Sequence, residues 1–176
     1  IRLKRTGGRR DGRTSGLVKE SLREMMTPKR FSEISVRDVT DSADMNRTTF
    51  YLHYTDTTQL LQSMEEDLLT EAQMLVNAHI QETVADGSLR PVFEPILDFV
   101  VEHREVCTIL FENNEVSQFA EHLQQLIHRN GTEVIRAWFQ PMDDQQLSYL
   151  LRFITYGLIG LIREWFQKNM DLPKEE

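Results

Sequence analysis

The sequence has only one cysteine, Cys107, in 176 residues. One thiol closes no intramolecular disulfide, so the fold is expected to rest on its apolar core and to belong to a reducing compartment, the cytoplasm. No apolar run approaches the roughly 20 residues of a membrane span, and the N-terminus is basic without an apolar segment behind it, so a soluble, intracellular protein is expected. The sequence opens on Ile1 rather than Met, so some residues of the natural N-terminus are expected to be missing. There is no Gly-rich phosphate loop and no nucleophile elbow. No segment alternates apolar and polar residues as a half-buried strand would, and no internal repeat or low-complexity tract is present.

Positive charge is scarce overall, with 20 Lys and Arg against 28 Asp and Glu, net −8. A uniform −8 would argue against nucleic acid, but the charge is not uniform. Residues 1–56 hold 12 Lys and Arg against 8 Asp and Glu, net +4, leaving −12 for residues 57–176. A basic head on an acidic body suits a head that meets phosphate and a body that does not.

What the sequence does contain is helical periodicity. The expectation is an all-α chain of about nine helices in two domains. Residues 1–12 are read as a flexible basic arm, 13–55 as a DNA-binding domain, and 56–176 as a helical body. Thr14 or Ser15 caps a first helix carried by Leu17, Leu22, Met25 and Met26 and ended by Pro28. Asp56 caps a long helix to about His79, and Ala85-Asp86-Gly87-Ser88 marks the clearest break. Pro91 and Pro95 open the next helix, and a short helix around Val106–Phe111 follows. Two long helices close the chain. Gly131 interrupts the first at a cost of about 1 kcal/mol, and Asp143 or Asp144 caps the second. That last helix is apolar around most of its circumference and needs cover on more than one side.

The stretch Ser35–Tyr54, SVRDVTDSADMNRTTFYLHY, organises the rest. Val36, Val39 and Ala43 give a short helix one buried stripe, with Ser35 as its cap. Asp44, one of the few non-glycine residues tolerant of a left-handed conformation, falls in the break. Asn46 caps a second helix that offers Arg47, Thr48 and Thr49 in its first turn and Phe50 as an apolar anchor. This is a helix-turn-helix pattern, whose second helix enters the major groove. Arginine can grip guanine O6 and N7, and a threonine methyl can meet a thymine methyl. Tyr51 and His53 are read on one exposed side, toward phosphate. Thr14, Ser35 and Arg37, at or near helix N-termini, complete the candidate DNA contacts.

Over roughly residues 13–70 this sequence resembles the TetR-type transcriptional regulators. The resemblance rests on Thr49-Phe50-Tyr51-Leu52-His53-Tyr54 followed by Leu60-Leu61, with SVRDVTDSA before it. Farther on it is one of layout, with Tyr156-Gly157 and Arg163-Glu164-Trp165-Phe166 similar to one branch. Asp44 stands where the family usually has Gly. Thr57 replaces its usual Lys and removes one phosphate contact. The resemblance implies a dimeric regulator of double-stranded DNA at a palindromic operator, a repressor released by a small-molecule or protein effector.

For the body, Met64, Phe93, Leu97, Phe111, Trp138, Phe153 and Tyr156 are candidates to line an apolar effector pocket, against plain core as the alternative. Phe119, Leu123, Leu151, Ile154, Gly157, Leu158, Leu161 and Trp165 are the candidate homodimer interface. His103 and Cys107, four apart, could share a face, but two ligands make no metal site, so neither metal nor cofactor is expected. One rival keeps the fold but acts by protein contact, with weak or no DNA binding. Another, an all-α enzyme, would need a polar cluster inside the body.

Overall fold

The computed structural model describes residues 8–26, 28–112, 118–139 and 141–168. Among these are eight α-helices, one 3-10 turn and no strand. The helices are α1 (Gly8–Met26), α2 (Val36–Ser42), α3 (Arg47–Tyr51), α4 (Thr57–Asp86), α5 (Arg90–Glu102), α6 (Arg104–Glu112), α7 (Phe119–Trp138) and α8 (Asp144–Gln167). The chain divides into two compact units, Ile1–Glu65 and Glu66–Glu176, so the division falls inside α4, later than the break expected at residue 55.

The first unit packs α1 on α2 and α2 on α3. Its core takes Val18, Leu22 and Met26 from α1, Ile34 and Val39 from around α2, and Phe50 from α3. Leu60, Leu61 and Met64, from the start of α4, are buried as well. Thr40 is buried too, and its hydroxyl donates back to the Val36 and Arg37 carbonyls, which satisfies it inside the helix. Asp56 caps α4 by accepting the Gln59 N–H at 2.8 Å.

Three expectations about helix ends need correction. Thr14 and Ser15 cap nothing. α1 begins at Gly8, so Thr14 lies inside it and residues 8–12 are helical rather than a loose arm. Residues 1–7 lie outside the described residues. α4 runs past His79 to Asp86, because Ile80, Thr83 and Val84 continue its inward stripe, and Gly87 ends it at φ 68°.

In the second unit, Val76 and Ile80 of α4 meet Val134 of α7, flanked by Val92 and Ile96 of α5 and by Leu126 and Trp138 of α7. The Trp138 indole N–H donates to the Val84 carbonyl at 3.2 Å, which anchors its polar end. α7 and α8 form the most extensive helix pair. Ile135, Leu147 and Leu151 are its centre, with Met142, Leu150 and Ile154 around them. Gly131 has a packing reason that its helix propensity hides. A Cβ there would lie 3.1 Å from Leu151 Cδ2, so the missing side chain lets α8 come close. A capping box starts α8, with the Asp143 carboxylate accepting from Gln146 N–H and the Gln146 amide oxygen accepting from Asp143 N–H.

Candidate nucleic-acid interface

The α2–α3 corner is built from caps. Ser35 and Asp38 form a capping box at the start of α2: Asp38 N–H donates to Ser35 Oγ at 3.2 Å, and Ser35 N–H donates to Asp38 Oδ2 at 2.9 Å. The Ser35 hydroxyl also donates to Asp38 Oδ2 at 2.5 Å, and this bond, followed by the one from Ser35 N–H, holds the Asp38 carboxyl below the usual carboxylate range. The end of α2 is a Schellman turn. Met45 N–H reaches the Thr40 carbonyl at 2.9 Å, Asp44 N–H reaches the Asp41 carbonyl, and Asp44 takes the left-handed conformation at φ 48°. Asp44 therefore fills the place usually given to glycine. Its short polar side chain makes that conformation less costly than it would be for alanine or a branched residue.

α3 starts at once behind this turn. Asn46 is its N-cap, with Oδ1 accepting the Thr48 N–H at 2.8 Å. Phe50 fixes the helix by burying its ring completely. Ring centroids of Tyr51 and Tyr54 lie 5.6 and 5.7 Å from that of Phe50. The Tyr54 hydroxyl meets Ser15 Oγ of α1 at 2.5 Å, tying the far end of the corner to the first helix.

With Phe50 turned inward, the opposite side of α3 is open. Arg47 and Thr48 are exposed and Thr49 is half-buried. Tyr51 is 57% exposed. His53 is half-buried with its ring centroid 6.3 Å from that of Tyr54. His53 lies past the end of α3, and it is less exposed than Tyr51. Ser35 and Arg37 are exposed on α2, Ser35 engaged in the capping box and Arg37 Nε 3.3 Å from Asp41 Oδ2. Thr14 is half-buried. A further residue, not among the candidate contacts, is open here: Leu52, at the C-cap of α3, is 77% exposed. Its signal was available, since Leu52 follows Thr48 by four and shares its face.

The body departs further from expectation. The inward face of α8 is Leu147, Leu151, Thr155, Ile159 and Phe166. Leu151, nominated for the dimer interface, is 2% exposed, and Phe119 is buried with its ring 5.1 Å from Phe111. Both are spent inside the chain. Leu123, Leu158 and Trp165 are half-buried, and so is Ile154, which packs beside Leu151. Gly157 is exposed and Leu161 is 66% exposed.

The seven pocket candidates have different surroundings. Phe153 and Tyr156 are 77% and 64% exposed on the outward side of α8, so they line no interior. Phe111 is packed between the rings of Phe119 and Phe166, and Met64 is buried in the first unit. Phe93 and Leu97 are half-buried on α5, and Trp138 is taken up by the α4–α7 cluster. The physical reason is one rotation of α8. A threonine holds the middle of its buried face, so the aromatic residues that looked interior face out. Burial pushes the Cys107 thiol up to about 12 and leaves it neutral, and the His103 ring nitrogen Nδ1 lies 3.0 Å from the Phe99 carbonyl.

The structure superposes on the dihydroxyacetone kinase operon activator DhaS with a TM-score of 0.68, over 89% of this chain and 85% of that one, at 17% identity. At that identity the likeness is one of fold. The uncharacterized HTH-type transcriptional regulator YxbF of Bacillus subtilis (strain 168) is 25% identical over 151 residues, covering 81% of this chain. The chain spans only 37% of that relative's length. No helix among the described residues is long and apolar enough to cross a membrane. Both of these proteins are named as regulators rather than enzymes. A TetR-type family model, described as a transcriptional regulator C-terminal region, matches residues 87–176. That match covers half of the chain, and the protein belongs to the TetR family of transcriptional regulators.

Proposed function

We propose that the head, to about residue 55, reads one half of a palindromic operator, and that the body pairs two chains. Arg47, Thr48 and Thr49 meet base edges in the major groove. Tyr51 meets phosphate, and Thr14, Ser35, Arg37 and His53 belong to the surrounding backbone contacts. Asn46 serves the interface by holding the first turn of α3 in place. The single observation that carries this reading is α3 itself. It is capped by Asn46, anchored by the buried Phe50, and leaves Arg47, Thr48 and Tyr51 exposed.

Two chains pair through α7 and α8 in this reading. Supporting it is an outward stripe on α8 of Tyr149, Phe153, Tyr156, Gly157, Gly160 and Leu161. A Cβ at either glycine would meet nothing within 4 Å, which leaves room for another helix. A twofold contact uses this one patch twice and sets two heads on half-sites about 34 Å apart or a multiple of that. As a repressor, the protein would be released by an effector that binds the body better when the heads are wrongly spaced for the operator.

The test is a gel shift on DNA selected from a random pool, repeated over a range of salt. Binding should weaken as salt rises, because phosphate contacts release counterions. The double variant Arg47→Ala, Thr49→Ala should lose about 1–3 kcal/mol of specific binding for each good base contact removed. A double variant that binds as tightly as the parent would contradict this assignment of α3.

A further inference from the structure

We propose that Leu52 is a base-reading residue, and that it recognises the 5-methyl group of a thymine in the major groove. This rests on the DNA reading above and adds a specificity contact to it. The observation is an apolar side chain in an exposed place. Leu52 is 77% exposed, in a chain that buries Phe50 completely two residues earlier. Leu52 Cα keeps helical geometry, with φ −74° and ψ −21°, so the rotation of α3 carries through it. At about 100° per residue Leu52 lies some 40° beyond Thr48 and nearly opposite Phe50. Thr48 and Leu52 therefore form the outermost ridge of α3, the ridge that meets a groove first. Arg47 and Tyr51 form the next ridge beside it.

The chemistry selects the partner. Leucine has no donor or acceptor, so it cannot read a base by hydrogen bonding and gains nothing from phosphate. The major groove offers one native apolar feature, the thymine methyl. The basic balance of residues 1–56, net +4, favours DNA over an apolar protein partner at this ridge. One helical turn carries Leu52 about 6 Å beyond Thr48 along the axis, which is about two base-pair steps. The thymine it reads is thus displaced about two pairs from the base that faces Thr48.

Deoxyuridine differs from thymidine only by that methyl, which makes the test direct. The full chain first selects its operator from a random pool. Each thymine of the half-site, with its symmetry mate, is then replaced by deoxyuridine. Affinity is measured for the parent, Leu52→Ala, Leu52→Met and Thr48→Ala, with thermal melts to verify folding. The parent should lose about 15-fold at one symmetric pair of thymines, because each half-site loses one buried methyl worth about fourfold. Leu52→Ala should bind thymine DNA about 15-fold more weakly, having lost the contact in both half-sites, and be indifferent to deoxyuridine at that position. Leu52→Met should keep the response, and so should Thr48→Ala. Leu52→Ala responding like the parent at every thymine would overturn the assignment while leaving the DNA reading intact. A parent that selects DNA but has no methyl-sensitive position would do the same. A parent that enriches no sequence would overturn the DNA reading and this assignment with it.

Discussion

The two units solve the problem of a working surface in opposite ways. In the first, each local device holds the next. The Ser35–Asp38 box starts α2, the Schellman turn at Asp44 stops it, Asn46 starts α3, and Phe50 pins it. The exposed side of α3 follows from these devices, almost without reference to distant sequence. In the second, no local signal sets which side of α8 faces in. That side is set by packing on α7, where Gly131 admits Leu151. What remains outside is a stripe of aromatic and small residues, Tyr149, Phe153, Tyr156, Gly157 and Gly160. A surface fixed by caps is legible from short sequence. A surface fixed by the rotation of one long helix is not.

The largest expected effect breaks the first unit at its pin. Phe50→Ala should destabilise that unit by about 3–5 kcal/mol and abolish sequence-specific binding. If the two surfaces are independent, sedimentation of this variant should still report the parent's oligomeric state. Gly131→Leu should strain the α7–α8 contact by about 1–3 kcal/mol, seen as a lower midpoint in urea. That variant should disturb the body while leaving the head's fold intact.

These outcomes would show how far each reading of the sequence reached. Asp44, Asn46 and Phe50 were legible because a cap, a left-handed turn and an anchor are properties of a few neighbouring residues. The dimer and pocket sets were legible only in part. Thr155 is polar yet buried, while Phe153, Tyr156 and Leu161 are apolar yet exposed, so hydrophobicity points the wrong way at several positions of one helix. The same holds for Phe119 and Leu151, whose apolar character fits an interface and a core equally well. Gly131 looked like a small helix defect, and only the approach of Leu151 gives it a role. Thr14 was misplaced because a cap-forming residue inside a helix looks the same in sequence as one at its start.

Smaller effects sharpen the comparison. Asp44→Ala should cost about 1 kcal/mol, since alanine is strained at φ 48°, whereas Asp44→Gly should not. Paired urea titrations would compare the two. Smaller still is a pH effect at the α2 cap. The folded Asp38 carboxyl is held low, so its contribution is present above its unfolded pKa and is lost as pH falls through the folded value. The stability gap between the parent and Ser35→Ala should therefore narrow under acid, as followed by circular dichroism.

The most direct measurement is the selection of DNA from a random pool by the full chain, because it reads both surfaces at once. The account predicts one enriched motif with twofold symmetry, its half-sites about 34 Å apart or a multiple of that. A symmetric motif requires α3 to read bases and the body to pair two chains. An enriched motif without symmetry would contradict the pairing through α8. A pool that stays random would contradict the reading of α3.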